Sequence, residues 1–233
     1  MKKVLGVIGG MGPEATAYFY EEVIAHTKAE RDQDHIDMVI LSHASMPDRT
    51  AAILSGDDRG IMQSMERSVR MLENCGVQNI AIPCNTSHYF YDRIQGLTQI
   101  PVINMPGESV SYICRLYPQA VRVGIMATDG TLRTGIYANV LQEAGLVPVV
   151  PGVQAQKAVM SLIYDDIKTG RDGDPAKFEQ AYRDLTEQGA DLVILACTEI
   201  SVYKKKHTIP ANCLDAMDVL VRESVIRSGA EYV

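Results

Sequence analysis

Part of this sequence is written twice. The stretch "MLENCGVQNIAIPCNTSHY", from residue 71, lies over "DLTEQGADLVILACTEISVY", from residue 184, at a constant offset of 113. Gly76 then meets Gly189, and Cys84 meets Cys197. Two further blocks recur in the same order. "VLGVIGGMG" matches "VRVGIMATDG" through Gly6 and Gly124, and "IPVIN" matches "TIPAN" through Pro101 and Pro210. Loop insertions account for the small changes of offset between blocks. Such a chain is built from two similar units.

The character of each unit follows from its periodicity. "KVLGVIG", "DMVILSH", "QNIAIPC" and "IPVIN" are short apolar runs bounded by turn residues, which predicts buried strands. "VRVGIMA", "LVPVV", "DLVILAC" and "TIPAN" repeat the series. Between them lie segments with helical spacing, such as 14–28 and 60–75. Alternation of strand and helix predicts an α/β protein of two pseudo-symmetric domains, each a mainly parallel sheet flanked by helices. We place the N-terminal domain at residues 1–105 with 212–233 and the C-terminal domain at 106–211, the chain crossing near 104–107 and again near 211. The last helix, "LDAMDVLVRESVIRS", carries an apolar stripe through Leu214, Met217, Leu220, Val221, Val225 and Ile226 that needs a host, for which the first half is suited. Ligands of open α/β sheets bind at the C-terminal ends of the strands, so the active site belongs in the interdomain cleft.

Charge and cysteine usage narrow the partners. A net charge of −7 argues against nucleic acid, and the lone basic run, "KKK" at 204–206, reads as a solvated turn. No apolar run reaches the roughly 18 residues of a membrane span. The opening "MKKVLGVIGG" is short and glycine-rich, more a first strand than a signal peptide. Five cysteines without CxxC spacing suggest neither a disulfide framework nor a zinc or other metal site, and they suit a cytoplasmic setting.

Two features carry chemistry. The loop "GVIGGMGPEAT" has the Gly10-x-Gly12 pattern of a dinucleotide site, but the second strand ends in Ser42 and His43 without the acidic residue that holds a ribose. We therefore expect its amides to line the cleft beside a small carboxylate, with Met11 shaping the wall and Thr128 a polar contact from the other half. The second feature is the repeated thiol. Cys84 and Cys197 each end an apolar strand before a helix start, a setting that lowers a thiol pKa from about 8.5 toward neutrality. Asn85, Thr86 and Thr198 follow them as candidate substrate contacts. Packing gives no reason for both copies to keep sulfur. Two thiols on opposite sides of one carbon can invert it, one removing a proton while the other delivers one.

The motifs "GGMGPEAT" (9–16), "MPDRT" (46–50), "PCNTSHYF" (83–90), "IKTG" (167–170) and "ACTE" (196–199) together resemble the aspartate/glutamate racemase family, the cofactor-independent amino-acid racemases, over essentially the whole chain. The resemblance implies a two-domain homodimer and an acidic amino acid as substrate. It implies that Cys84 and Cys197 are the acid/base pair, that Arg49 and Lys168 bind carboxylates, and that no cofactor is needed. Some members have Thr at the first cysteine position; Cys84 here favours a reversible enzyme. An isomerase or decarboxylase of a related acidic substrate, or an amino-acid-binding protein without turnover, are the competing readings. His88 is expected to be a polar helix residue turned away from Cys84. Glu199 is expected to orient Thr198 or the Cys197 loop, or to cap the following turn. Cys75 and Cys213 are expected in helical surroundings and Cys114 in the core.

Overall fold

In the computed structural model, which describes residues 2–233, β1 (Leu5–Gly9), β2 (Met38–Ser42) and β3 (Asn79–Ala81) pair in the order β2-β1-β3. A second sheet comprises β4 (Arg122–Met126), β5 (Val147–Val149), β6 (Leu192–Leu195) and β7 (Cys213–Asp215), in the order β5-β4-β6-β7. All strand pairings within the two sheets are parallel. The helices are α1 (Pro13–Ala25), α2 (Arg49–Ser55), α3 (Arg59–Asn74), α4 (Tyr91–Gln95), α5 (Met105–Leu116), α6 (Asp129–Thr134), α7 (Ile136–Glu143), α8 (Val153–Ser161), α9 (Pro175–Glu187), α10 (Thr198–Lys206) and α11 (Ala216–Arg227). The chain is an α/β protein of two matching sheets flanked by helices.

The written duplication is a packing duplication. Gly6 and Gly124 sit in the central strands, each under the helix that precedes the next strand. A Cβ at Gly6 would come 2.9 Å from Val77 and 3.0 Å from Leu72; at Gly124 it would come 3.2 Å from Leu185 and 3.3 Å from Ala190. Leu72 and Leu185, like Val77 and Ala190, are related by the offset that relates Cys84 to Cys197. Glycine is what lets α3 and α9 lie close against their strands. Both helices end through a glycine with positive φ, Gly76 at 70° and Gly189 at 87°, where a side chain would be strained.

Burial on both faces explains the continuous apolar strands. Along β2, Met38 and Ile40 pack into a cluster shared with the second sheet, while Val39 and Leu41 face one built on Ile61, Met65, Val69 and Leu72. Asn104, past the first sheet, accepts from the Gly107 amide at 3.1 Å through its side chain and starts α5. β7 pairs with β6, so the second sheet runs on as far as Asp215. Buried Asp215 ends β7, caps α11 by accepting from the Met217 amide at 2.9 Å, and accepts from Ser201 Oγ at 2.7 Å. The α11 stripe packs on α5, α1 and β3, although Ile226 is exposed.

Several expectations change. "IPVIN" contributes only a single parallel bridge, Val102 to Ile80, and "TIPAN" precedes the strand that begins at Cys213. Cys213 is therefore in a strand, and Cys114 is exposed on α5 rather than in the core. Lys204–Lys206 form the last turn of α10, where Lys204 is paired with Asp215 at 2.9 Å and Asp218 at 2.5 Å. Among the described residues, no helix is long and apolar enough to cross a membrane, and no group of three or more His, Cys, Asp or Glu side chains could hold a metal.

Candidate active site

β3 and β6 are equivalent strands of the two halves, and each delivers a cysteine to the cleft just past its C-terminal end. Cys84 follows β3 in a tight turn, its amide 2.7 Å from the Ile82 carbonyl, and Asn85 then opens a 3₁₀ turn over Thr86–Phe90. Cys197 follows β6 as the N-cap of α10. Both thiols, each 5% exposed, line one small cavity of about 20 Å³. Met11, Arg49, Asn85, Thr86, Thr128, Lys168 and Thr198 line the same cavity, so every site residue expected from the sequence is brought to one place. Room for about one water remains there. A larger chamber of about 450 Å³ adjoins it and shares Met11, Asp48, Arg49, Lys168 and Glu199 as walls.

Each cation is held by its own segment. Asp48 caps α2 by accepting from the Ala51 amide at 2.8 Å, which turns the buried Arg49 inward. Arg49 donates through Nη1 to the Pro47 carbonyl at 2.8 Å and through Nη2 to the Met11 carbonyl at 3.3 Å, and its Nε has no partner. Burial alone pulls the guanidinium's pKa down. Cys84 beside it, then Asp48 and Glu199, more than offset this and hold its pKa above the ordinary value. Lys168 lies on a 3₁₀ turn that continues α8 through a wider helical turn, Leu162–Asp166. Its Nζ is 2.6 Å from Glu199 Oε1 and 5.4 Å from the Tyr164 ring centre. Burial pulls its pKa down, but Glu199 prevails and the ammonium is held above its usual range.

Cys197 departs from expectation. A helix start favours the thiolate, yet burial pushes this thiol's pKa well up, and Glu199 adds to the rise against the opposing pull of Lys168. The thiol donates to Glu199 Oε2 at 3.0 Å. Helix-end partial charges are worth a fraction of the cost of burying an anion beside a carboxylate. The glycine loop is also less open than expected. Gly10, with φ at 85°, packs its Cα on the His43 backbone, and its amide donates to Thr16 Oγ1 at 2.8 Å. That amide is not free for a ligand. Met11 lines the wall, its sulfur accepting from Ser87 Oγ at 3.4 Å. His88 is fully packed, with its ring nitrogens 2.9 Å from the Cys84 carbonyl and 3.2 Å from the Ile103 carbonyl, and is no base for the thiol.

Of the groups that join the halves, the sequence singles out Thr86 and Thr128 but not the others. Thr50 and Thr86 from the first half meet Thr128 and Thr131 from the second in one buried hydroxyl cluster, with oxygen separations of 2.9–3.4 Å. Tyr164 donates to Asp48 Oδ2 at 3.1 Å across the cleft; burial raises the phenol's pKa to about 12. Tyr137 on α7 donates to Asn85 Oδ1. Asp48 was at hand in "MPDRT" beside Arg49, whereas the tyrosines have no local signature.

Comparison with known proteins identifies the family and the fold. The family model described as Asp/Glu/Hydantoin racemase matches residues 8–224. The broad specificity amino-acid racemase RacX of Bacillus subtilis is 29% identical over 226 residues, spanning 95% of this chain and 96% of its own. The aspartate racemase of Picrophilus torridus superposes with a TM-score of 0.83 at 27% identity, covering 99% of this chain and 96% of that one. Glutamate racemase from Francisella tularensis, solved with D-glutamate, shares the fold with a TM-score of 0.65 at 19% identity, over 95% and 79% of the two chains. Matched over most of its length, the chain belongs to the Asp/Glu/Hydantoin racemase family.

Proposed function

We propose that the protein racemises an acidic amino acid, aspartate or glutamate or both, by a two-base cysteine mechanism that uses no pyridoxal cofactor. The observation that carries this reading is that two thiols from equivalent strand ends line one cavity beside Arg49 and Lys168. Coupled with family membership, it favours turnover over simple binding, which needs neither sulfur. Arg49, with an unpaired Nε, takes the α-carboxylate, aided by Asn85, Thr86, Thr128 and Thr198. Lys168 takes the side-chain carboxylate, sharing its charge with Glu199. The protein acts as a homodimer in the cytoplasm. Its two halves divide near residue 105 and, because β7 pairs with β6, at Asp215.

The environment of Cys197 sets its part in the starting state. Cys197 is the neutral thiol, since burial and Glu199 both oppose its ionisation. Cys84 lies beside the Arg49 guanidinium and is assigned the part of the base. Its sulfur takes the α-proton, and the C–H electron pair moves into the carboxylate held by Arg49. Cys197 then gives its proton to the opposite face, leaving Cys84 as thiol and Cys197 as thiolate. The reverse reaction starts from that state, and proton exchange with solvent resets the pair. Charge that develops on the carboxylate meets donors already in place, the main source of acceleration such a site offers.

Incubation of each enantiomer of aspartate and glutamate in deuterated water, without added cofactor, tests the reading. Racemisation with deuterium at the α-carbon of the product is expected. Absence of α-deuterium in all four reactions contradicts it.

A further inference from the structure

Asn85 enters the cavity with one end of its amide committed and the other free. Oδ1 accepts the Tyr137 phenolic hydrogen, while Nδ2 is buried without a partner. Asn85 is 2% exposed and Tyr137 is 1% exposed, so water does not complete either group. An amide presents either its donor or its acceptor end depending on which way it is turned, and a carboxylate accepts only the donor. The neighbour that fixes the turn therefore fixes the chemistry. Tyr137 is suited to fixing it, because burial pushes its pKa up, against the pull of Ser109, and keeps the phenol a donor. It also belongs to α7 of the second half, whereas Asn85 follows β3 of the first. The bond spans the cleft.

We propose that Tyr137 is a positioning residue for the racemisation, holding Asn85 so that Nδ2 faces the substrate α-carboxylate as the α-proton leaves. The proposal rests on the two-base reading above. Without the phenol, the amide is free to turn its oxygen toward the carboxylate, which repels rather than stabilises the growing charge.

A double-mutant cycle tests this, with steady-state racemisation of the best substrate as readout and thermal unfolding to verify the fold. Asn85→Ala is expected to lower kcat/KM about 100-fold, the scale for losing one oxyanion donor. Tyr137→Phe is expected to lower it about 10-fold, chiefly through kcat, and to have no further effect in the Asn85→Ala background, since interaction through one group makes losses non-additive. Losses that multiply, or a Tyr137→Phe enzyme as active as the native one, overturn the proposal. Should Tyr137→Phe not fold, Asn85→Asp keeps an acceptor for Tyr137 but turns an acceptor into the cavity. A loss of 100-fold or more there supports a donor at that point, and native activity overturns it. Native protein without racemisation overturns the two-base reading instead, and the outcomes are thereby distinct.

Discussion

At the scale of single residues, the chemistry of a thiol is decided by what faces it. Cys84 and Cys197 hold equivalent places in the fold, yet one lies beside Arg49 and the other donates to Glu199. Replacing either by serine is expected to lower racemisation by about 10²–10⁴-fold, the usual worth of a positioned acid or base. Retention of near-native rates by a variant removes that cysteine from the mechanism. Arg49→Ala should raise KM for the acidic substrate, because the guanidinium is the buried cation without a carboxylate in direct contact; unchanged kinetics contradict its role as a clamp. The pH profile separates the pair further. Burial and Glu199 raise the Cys197 pKa, so the alkaline limb of kcat/KM, where this thiol loses its proton, lies above the ordinary thiol range. In Glu199→Gln an anion is gone and Lys168 is unopposed, both of which favour the thiolate. The limb is expected to move to lower pH by about 1–3 pH units; a limb that stays or rises contradicts Glu199 as its cause.

At the scale of elements, the repeat was legible because the same contacts recur at the same spacing. Leu72 and Val77 over Gly6, and Leu185 and Ala190 over Gly124, are one packing solution used twice. Gly6→Ala and Gly124→Ala should each destabilise the protein by about 1–3 kcal/mol through overpacking. The loss should be larger at Gly6, where the new methyl comes closer; thermal melts with no change at either site contradict this packing. Other elements were not legible for physical reasons. Proline-flanked "IPVIN" and "TIPAN" look alike as sequence, but the neighbouring backbone pairs with the first through one bridge and with the second only from Asn212 onward. Lys204 looked as solvated as the exposed Lys205 and Lys206 because its partners, Asp215 and Asp218, come after it in a strand end and a helix whose approach no local pattern declares. Cys114 carries an apolar side chain in an apolar stretch, yet the face of α5 it occupies is turned outward.

At the scale of the whole molecule, the site exists only where two halves meet. Its motif residues were readable from the chain, but the links that close it, Tyr164 to Asp48, Tyr137 to Asn85 and the four-threonine cluster, join distant segments and leave no trace in spacing. Gly130 marks how near the halves come: a Cβ there would lie 2.9 Å from Thr50 Oγ1 and 3.0 Å from its Cα. Gly130→Val should hold α2 and α6 apart and lower kcat/KM by more than about tenfold, the sensitivity expected when reacting groups are displaced by an ångström. Native kinetics in that variant contradict the need for close apposition. The most direct test of the two-faced arrangement is α-proton exchange with deuterated solvent in the Cys84→Ala and Cys197→Ala variants, each given the two enantiomers separately. Each variant keeps one base on one face, so each is expected to exchange a single enantiomer without inverting it, and the two variants are expected to choose opposite enantiomers. Exchange of the same enantiomer by both variants, or racemisation at native rates by either, contradicts the account.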